Sequence, residues 1–270
     1  DSHTGLTTLS DDNYFGKFTW MEPNKKRLNA TAKYNKKLDL GYDAWRYSSA
    51  GPTAVWAKAN TREAIFDAMK RREVYATTGP RIRVRVFAGY DFNELDVKQR
   101  DIAVVGYAKG VPMGGDLANA EKGQTPGLLI RALRDPDGAN LDRVQVIKGW
   151  VDSNGKAHEK VYDVAWSDKA SGQRKINNKG KLAAVGDTVD LSIPTWTNTI
   201  GSAQLATLWK DPDFNRSEKA FYYVRVIEIP TPRWTAYDAV RYKVKTMPKG
   251  IKLKTQERAY TSPIWYNSKG

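Results

Sequence analysis

From residue 81 the chain alternates charged and aliphatic positions, Arg-Ile-Arg-Val-Arg-Val. A period of two predicts a strand with Ile82, Val84 and Val86 facing inward. Strand patterns then recur, separated by turn sequences. Residues 128–133 precede Asp135-Pro136-Asp137-Gly138, and residues 143–148 precede Asp152-Ser153-Asn154-Gly155. Residues 161–166 complete that meander. Residues 187–191, 203–209 and 221–229 read as further strands, and 167–181 as a polar loop. Residues 260–266 end the pattern, with Pro263 marking an edge or a bulge. Short strands with Gly and Pro turns predict an antiparallel β-sandwich over residues 81–270.

Upstream the period changes. Residues 61–72 predict a helix, with Asn60 or Thr61 as cap, Glu63 in the first turn, and Lys70, Arg71 and Arg72 at the end. Ala64, Ile65, Ala68 and Met69 share one face. A short strand at 74–77 leads to Gly79-Pro80, the natural boundary between residues 1–80 and 81–270. Residues 1–55 show little periodicity and predict long loops with one short helix.

Composition narrows the class. No run approaches the roughly 18–20 apolar residues that a membrane helix needs. Cysteine is absent, which removes disulfides, thiolate nucleophiles and cysteine metal sites. The net charge of +14 raises the question of nucleic acid. The basic residues are spread over several segments, however, and no nucleic-acid motif or arginine-rich arm accompanies them, which points to a solvated surface. Abundant Trp and Tyr suit a sheet core and a ligand platform alike.

Candidate chemistry is sparse. Asp1 and His3, two apart, offer oxygen and nitrogen donors suited to Zn, Mn or Fe. Alone, the pair reads more readily as a chain terminus. The chain has only two histidines, so it holds no His-rich cluster. The second, His158, follows a turn and reads as a hairpin residue. Asp152, Asn154 and Glu159 fall short of a calcium loop. Gly114-Gly115 reads as a tight turn, ahead of a close approach to ligand, and no P-loop, dinucleotide fingerprint or nucleophile elbow occurs. Glu228, Arg233 and Trp234 around Pro230-Thr231-Pro232, together with Glu257 and Arg258, read as a pocket lining or a salt-bridged sheet rim.

Longer ordered motifs carry more. The run Asp1-Ser2-His3-Thr4-Gly5, then Asn13-Tyr14-Phe15-Gly16-Lys17, Val55-Trp56-Ala57 and Asn60-Thr61-Arg62-Glu63-Ala64-Ile65-Phe66-Asp67 resemble the bacterial domain-of-unknown-function 3604 family. So do Tyr75-Ala76-Thr77-Thr78-Gly79-Pro80, Gly110-Val111-Pro112-Met113-Gly114-Gly115-Asp116-Leu117, Lys148-Gly149-Trp150 and Asp211-Pro212-Asp213-Phe214. That family resembles the polymerase-and-histidinol-phosphatase (PHP) superfamily and carbaryl-hydrolase-like metallohydrolases. The resemblance implies a distorted β/α barrel with divalent metals (Zn, Mn or Fe) and hydrolysis of a small ester, phosphoester or amide by metal-bound hydroxide. It implies metal ligation by Asp1 and His3, which match the family's last ligand motif. It makes residues 1–80 the closing α/β elements of the barrel and 81–270 a β-sandwich accessory domain. The missing N-terminal barrel segment is then the partner that completes the site, and this chain alone is expected to be inactive. Location in the periplasm or outside the cell follows from the family and the lack of cysteine. The competing expectation is a β-sandwich module that binds carbohydrate or envelope polymer without catalysis, through Trp150, Trp166, Trp196, Trp209 or Trp234. A third, non-specific polyanion binding, rests on the net charge alone.

Overall fold

The computed structural model describes residues 25–28, 31–35, 40–43, 45, 51–168, 171–172 and 174–268. A 3-10 turn at Lys25–Leu28 precedes a hairpin of β1 (Thr31–Asn35) and β2 (Leu40–Asp43). Next come β3 (Thr53–Val55), α1 (Arg62–Lys70), β4 (Val74–Thr77) and β5 (Arg83–Gly89). Two short helices follow, α2 (Glu94–Val97) and α3 (Ile102–Lys109), then β6 (Val111–Pro112), β7 (Asp116–Leu117) and β8 (Gly127–Leu133). The long strands β9 (Leu141–Val151) and β10 (Ala157–Trp166) form a hairpin. The rest comprises β11 (Gln204–Lys210), β12 (Lys219–Glu228), β13 (Thr231–Pro232), α4 (Trp234–Arg241), β14 (Lys254–Thr255), β15 (Arg258–Thr261) and β16 (Ile264–Tyr266).

The fold is mainly β. An eight-stranded sheet runs β10-β9-β12-β15-β4-β3, with β16 beside β12 and β7 beside β16. A four-stranded sheet runs β11-β8-β5-β6. Pairing is antiparallel except between β16 and β7. The sheets enclose one core, in which Ile82, Val84 and Val86 meet Leu128 and Ile130 from the small sheet and Val144, Val146, Val224 and Val226 from the large one. The alternation in residues 81–86 therefore marks the inward face as expected. The outer face of the small sheet is covered as well: Phe87 and Leu129 pack against Phe92, Ile102 and Ala103 from the α2–α3 region. Burial on both faces explains why β8 reads as a nearly continuous apolar run.

Local chemistry sets the element ends. Thr61 caps α1, its hydroxyl accepting from the Ala64 N–H at 3.3 Å. Asp152 closes the β9–β10 turn by accepting from Asn154 and Lys156 N–H groups, with Gly155 at φ 77°. That turn needs no calcium. Gly114, at φ 84°, turns between β6 and β7 so close to Arg72 that a Cβ would lie 2.1 Å from its carbonyl oxygen. At Pro263 the expected single strand breaks into β15 and β16, both paired to β12. Neither is an edge, since β15 also pairs with β4 and β16 with β7, and the Thr261 hydroxyl accepts from the Val224 N–H at 3.0 Å.

Several expectations are corrected. Residues 187–191 form no strand. Asp187 accepts from Val189 N–H and Asp190 from Ser192 N–H, at 2.9 and 2.8 Å, so local side-chain bonds replace a ladder. The first 55 residues, expected as loops, include β1, β2 and β3. Helices α2 and α3 escaped the periodicity, being too short or too uniformly apolar to show a clear face, and α4, though amphipathic, spans only eight residues and lacks a side-chain cap to mark its start. Among the described residues there is no barrel. Strand β4 instead pairs with β15, Thr77 opposite Ala259, so strands on both sides of Gly79-Pro80 share one sheet. No helix among the described residues is long and apolar enough to cross a membrane.

Candidate functional site

Four segments converge at one end of the sandwich: the turn after β4, the β8–β9 turn, the exit of β12 and the approach to β15. They surround a cavity of about 170 Å³ bordered by Thr78, Arg81, Asp135, Trp196, Glu228 and Glu257. Asp135 ties the first two segments together. It accepts from the Arg81 backbone N–H at 2.7 Å and from the Asp137 N–H at 3.1 Å. The Arg81 guanidinium reaches both Asp135, at 3.3 Å, and Asp137, at 2.8 Å. The other two segments meet in a backbone bond from Glu228 N–H to the Glu257 carbonyl, 2.9 Å. Gln256 supports the same corner, donating to the Glu228 carbonyl at 2.8 Å. The Thr78 hydroxyl donates to the Glu257 carboxylate and accepts from the Arg258 N–H at 2.9 Å.

Glu228 is the unusual member. It is only 1 % exposed, and its Oε1 is buried without a hydrogen-bond partner. Burial pushes its proton affinity well above the usual carboxylate range, and the charges of Glu257 and Asp135 push it further, against a smaller opposing effect of Arg134. Asp135 moves the other way. Burial raises its pKa, but the N–H groups of Arg81 and Asp137 and the Arg81 guanidinium lower it by more. One cavity thus holds two acids whose surroundings push their proton affinities in opposite directions, the arrangement that separates acid from base roles.

A second concavity of about 590 Å³ lies at the far end of β9, β10, β12 and β16. Trp150 and His158 stack there at 5.2 Å and 17°, and Phe221 meets Trp265 at 5.3 Å. His158 bonds to Asp152 at 2.7 Å, which holds the ring in the stack.

The sequence-derived candidates separate as follows. Asp1 and His3 lie outside the described residues. Among the described residues no group of three or more His, Cys, Asp or Glu side chains is placed to hold a metal ion. Glu228 and Glu257 come together, whereas Arg233 turns to the Trp45 carbonyl and Trp234 is buried beside Leu28. Trp166 donates to the Arg174 carbonyl at 3.0 Å, and Trp209 packs on Tyr162 at the core's edge. Of the five tryptophans, Trp150 and Trp196 border cavities. The sequence reading missed Thr78, Asp135, Trp196 and Tyr237 as neighbours of Glu228, because only the tertiary packing of loops, strand ends and α4 brings them together.

A family model described as "Protein of unknown function (DUF3604)" matches residues 1–268. No curated protein and no solved structure matches the chain.

Proposed function

The chain belongs to the DUF3604 family, and from that premise we propose that it is the C-terminal part of a metal-dependent hydrolase acting on a small ester, phosphoester or amide. The observation that carries this reading is the Asp1-x-His3 pair within the family-matched residues, one oxygen and one nitrogen donor two positions apart. The described residues do not fit a metal by themselves, since they hold no cluster of three donors. Ligation in this reading falls to Asp1, His3 and donors of a preceding PHP-like barrel. A divalent ion held there would polarise a phosphoryl or carbonyl oxygen and activate water. The sandwich is then an accessory domain, and a periplasmic or secreted location belongs to the same proposal. The test joins this chain to the preceding segment and measures bound Zn, Mn and Fe together with hydrolysis of nitrophenyl esters and phosphoesters. Metal-dependent turnover that is lost in Asp1→Ala and His3→Ala supports the reading. A complete protein that binds no divalent metal refutes it.

The alternative, a carbohydrate-binding module without catalysis, is favoured by the groove at Trp150. A stacked Trp–His pair beside Phe221 and Trp265 offers flat apolar faces to a sugar ring. Quenching of Trp fluorescence by soluble glycans, abolished by Trp150→Ala, would support it. Fluorescence indifferent to glycans would remove it.

A further inference from the structure

We propose that the cavity at Glu228 is a binding site for a small organic cation, a primary ammonium group whose charge partner is the Glu228 carboxyl. The inference is independent of the metal-dependent chemistry proposed above.

The first argument is the orphan atom. Glu228 lines the cavity, and its buried Oε1 has no hydrogen-bond partner. Folded proteins rarely leave such an atom unsatisfied, and doing so opposes folding unless a ligand supplies the missing bond.

The second argument is charge. Asp135, Asp137, Glu228 and Glu257 border the cavity, with Arg81 as the basic side chain on its lining. Arg81 is already bonded to Asp135 and Asp137. The nearby Arg134 directs a guanidinium nitrogen to the Gly138 carbonyl at 2.8 Å. The cavity is therefore locally acidic within a chain of net charge +14. An anion is disfavoured there and a cation is favoured.

The third argument is size and shape. The acids do not converge as a metal site would, since the described residues hold no three-donor group. A cavity of about 170 Å³ accepts an amine with a short apolar tail. The rings of Trp196 and Tyr237 border the same space, and aromatic faces attract ammonium groups.

Proton linkage gives a signature. Glu257 and Asp135 push the Glu228 proton affinity up, and Arg134 pulls it down. Arg81 and Asp137 are paired with each other at the rim. An entering cation replaces the Glu228 proton, so binding releases a proton and tightens as pH rises.

The test titrates the 270-residue chain with n-butylammonium chloride by calorimetry in buffers of different ionisation heat, with matched sodium chloride as control. Saturable binding with proton release, tighter at higher pH, is expected. Glu228→Gln should weaken binding by about tenfold or more and abolish the pH dependence, because a charge-assisted bond is lost. Gln copies the protonated acid in shape, so the variant should fold. Should it not fold, proton release by the unaltered chain and weakened binding by Trp196→Ala decide the matter. Absence of saturable binding overturns the proposal. So do equal binding of neutral n-butanol, unchanged affinity in a folded Glu228→Gln variant, and binding of glucose in place of the amine.

Discussion

The Lys148 ammonium lies 2.6 Å from a carboxylate oxygen of Asp211, and both side chains are buried between the sheets. The same oxygen accepts from the Tyr222 hydroxyl at 2.7 Å, while Lys148 also donates to the Asp213 carbonyl at 2.7 Å. Burial and the charge of Asp211 hold the Tyr222 proton far more tightly than in a free phenol. Breaking one half of such a pair leaves the other charged and uncompensated. Asp211→Ala should therefore lower unfolding free energy by about 3–5 kcal/mol, measured by urea denaturation. Adding Lys148→Met should recover much of that loss. Additive losses would show that the two residues act separately.

In the next residue pair of β9 and β12, the ring of Phe221 crosses Gly149, and a Cβ at residue 149 would lie 2.4 Å from Phe221 Cζ. Glycine here makes room for the ring; it is not required by a positive φ. Gly149→Ala should destabilise the chain by about 1–3 kcal/mol through overpacking. Combining it with Phe221→Ala should relieve the clash. Thermal melts of the single and double variants check this, and a harmless Gly149→Ala would mean that the ring moves aside freely.

Much of the sandwich was legible because strand period is local. Ile82, Val84 and Val86 announce their inward face within six residues, and the Asp152–Gly155 turn announces the β9–β10 hairpin. The short strands β6, β7, β13 and β14 carry two residues each, too few for any period. The cavity was half legible. Glu228 and Glu257 stood out as acids near aromatics, but their meeting depends on β12 and β15 lying side by side. Asp135 reads as an ordinary turn residue, and only the fold reveals that its carboxylate caps the Arg81 backbone.

Glu228 sets a pH dependence whose sign follows from its burial. Its folded-state pKa lies well above the ordinary 4.5, through desolvation first and then Glu257 and Asp135. Between the unfolded and folded values the native state holds a proton that the unfolded chain has lost. The contribution is thus complete below about pH 4.5 and fades as pH rises through the folded pKa. Glu228→Gln should remove this component, raising stability at neutral pH relative to the unaltered chain and leaving acid stability nearly unchanged. Urea titrations across pH check this, and parallel curves for the two proteins would contradict it.

Chelation separates the metal reading from the stability of the sandwich. The core is formed by aliphatic and aromatic side chains of the two sheets, and no donor cluster among the described residues ties it to an ion. EDTA should leave the melting of this chain unchanged, because an ion that binds neither state shifts no folding equilibrium. On the proposed reading, in a protein that also carries a preceding barrel segment, EDTA should abolish hydrolysis, and added Zn or Mn should restore it. His3→Ala should lower metal stoichiometry there without moving the sandwich transition. If EDTA instead destabilises the isolated chain, metal contributes to its folded state, and the division between a metal centre near Asp1 and His3 and a metal-free sandwich must be abandoned.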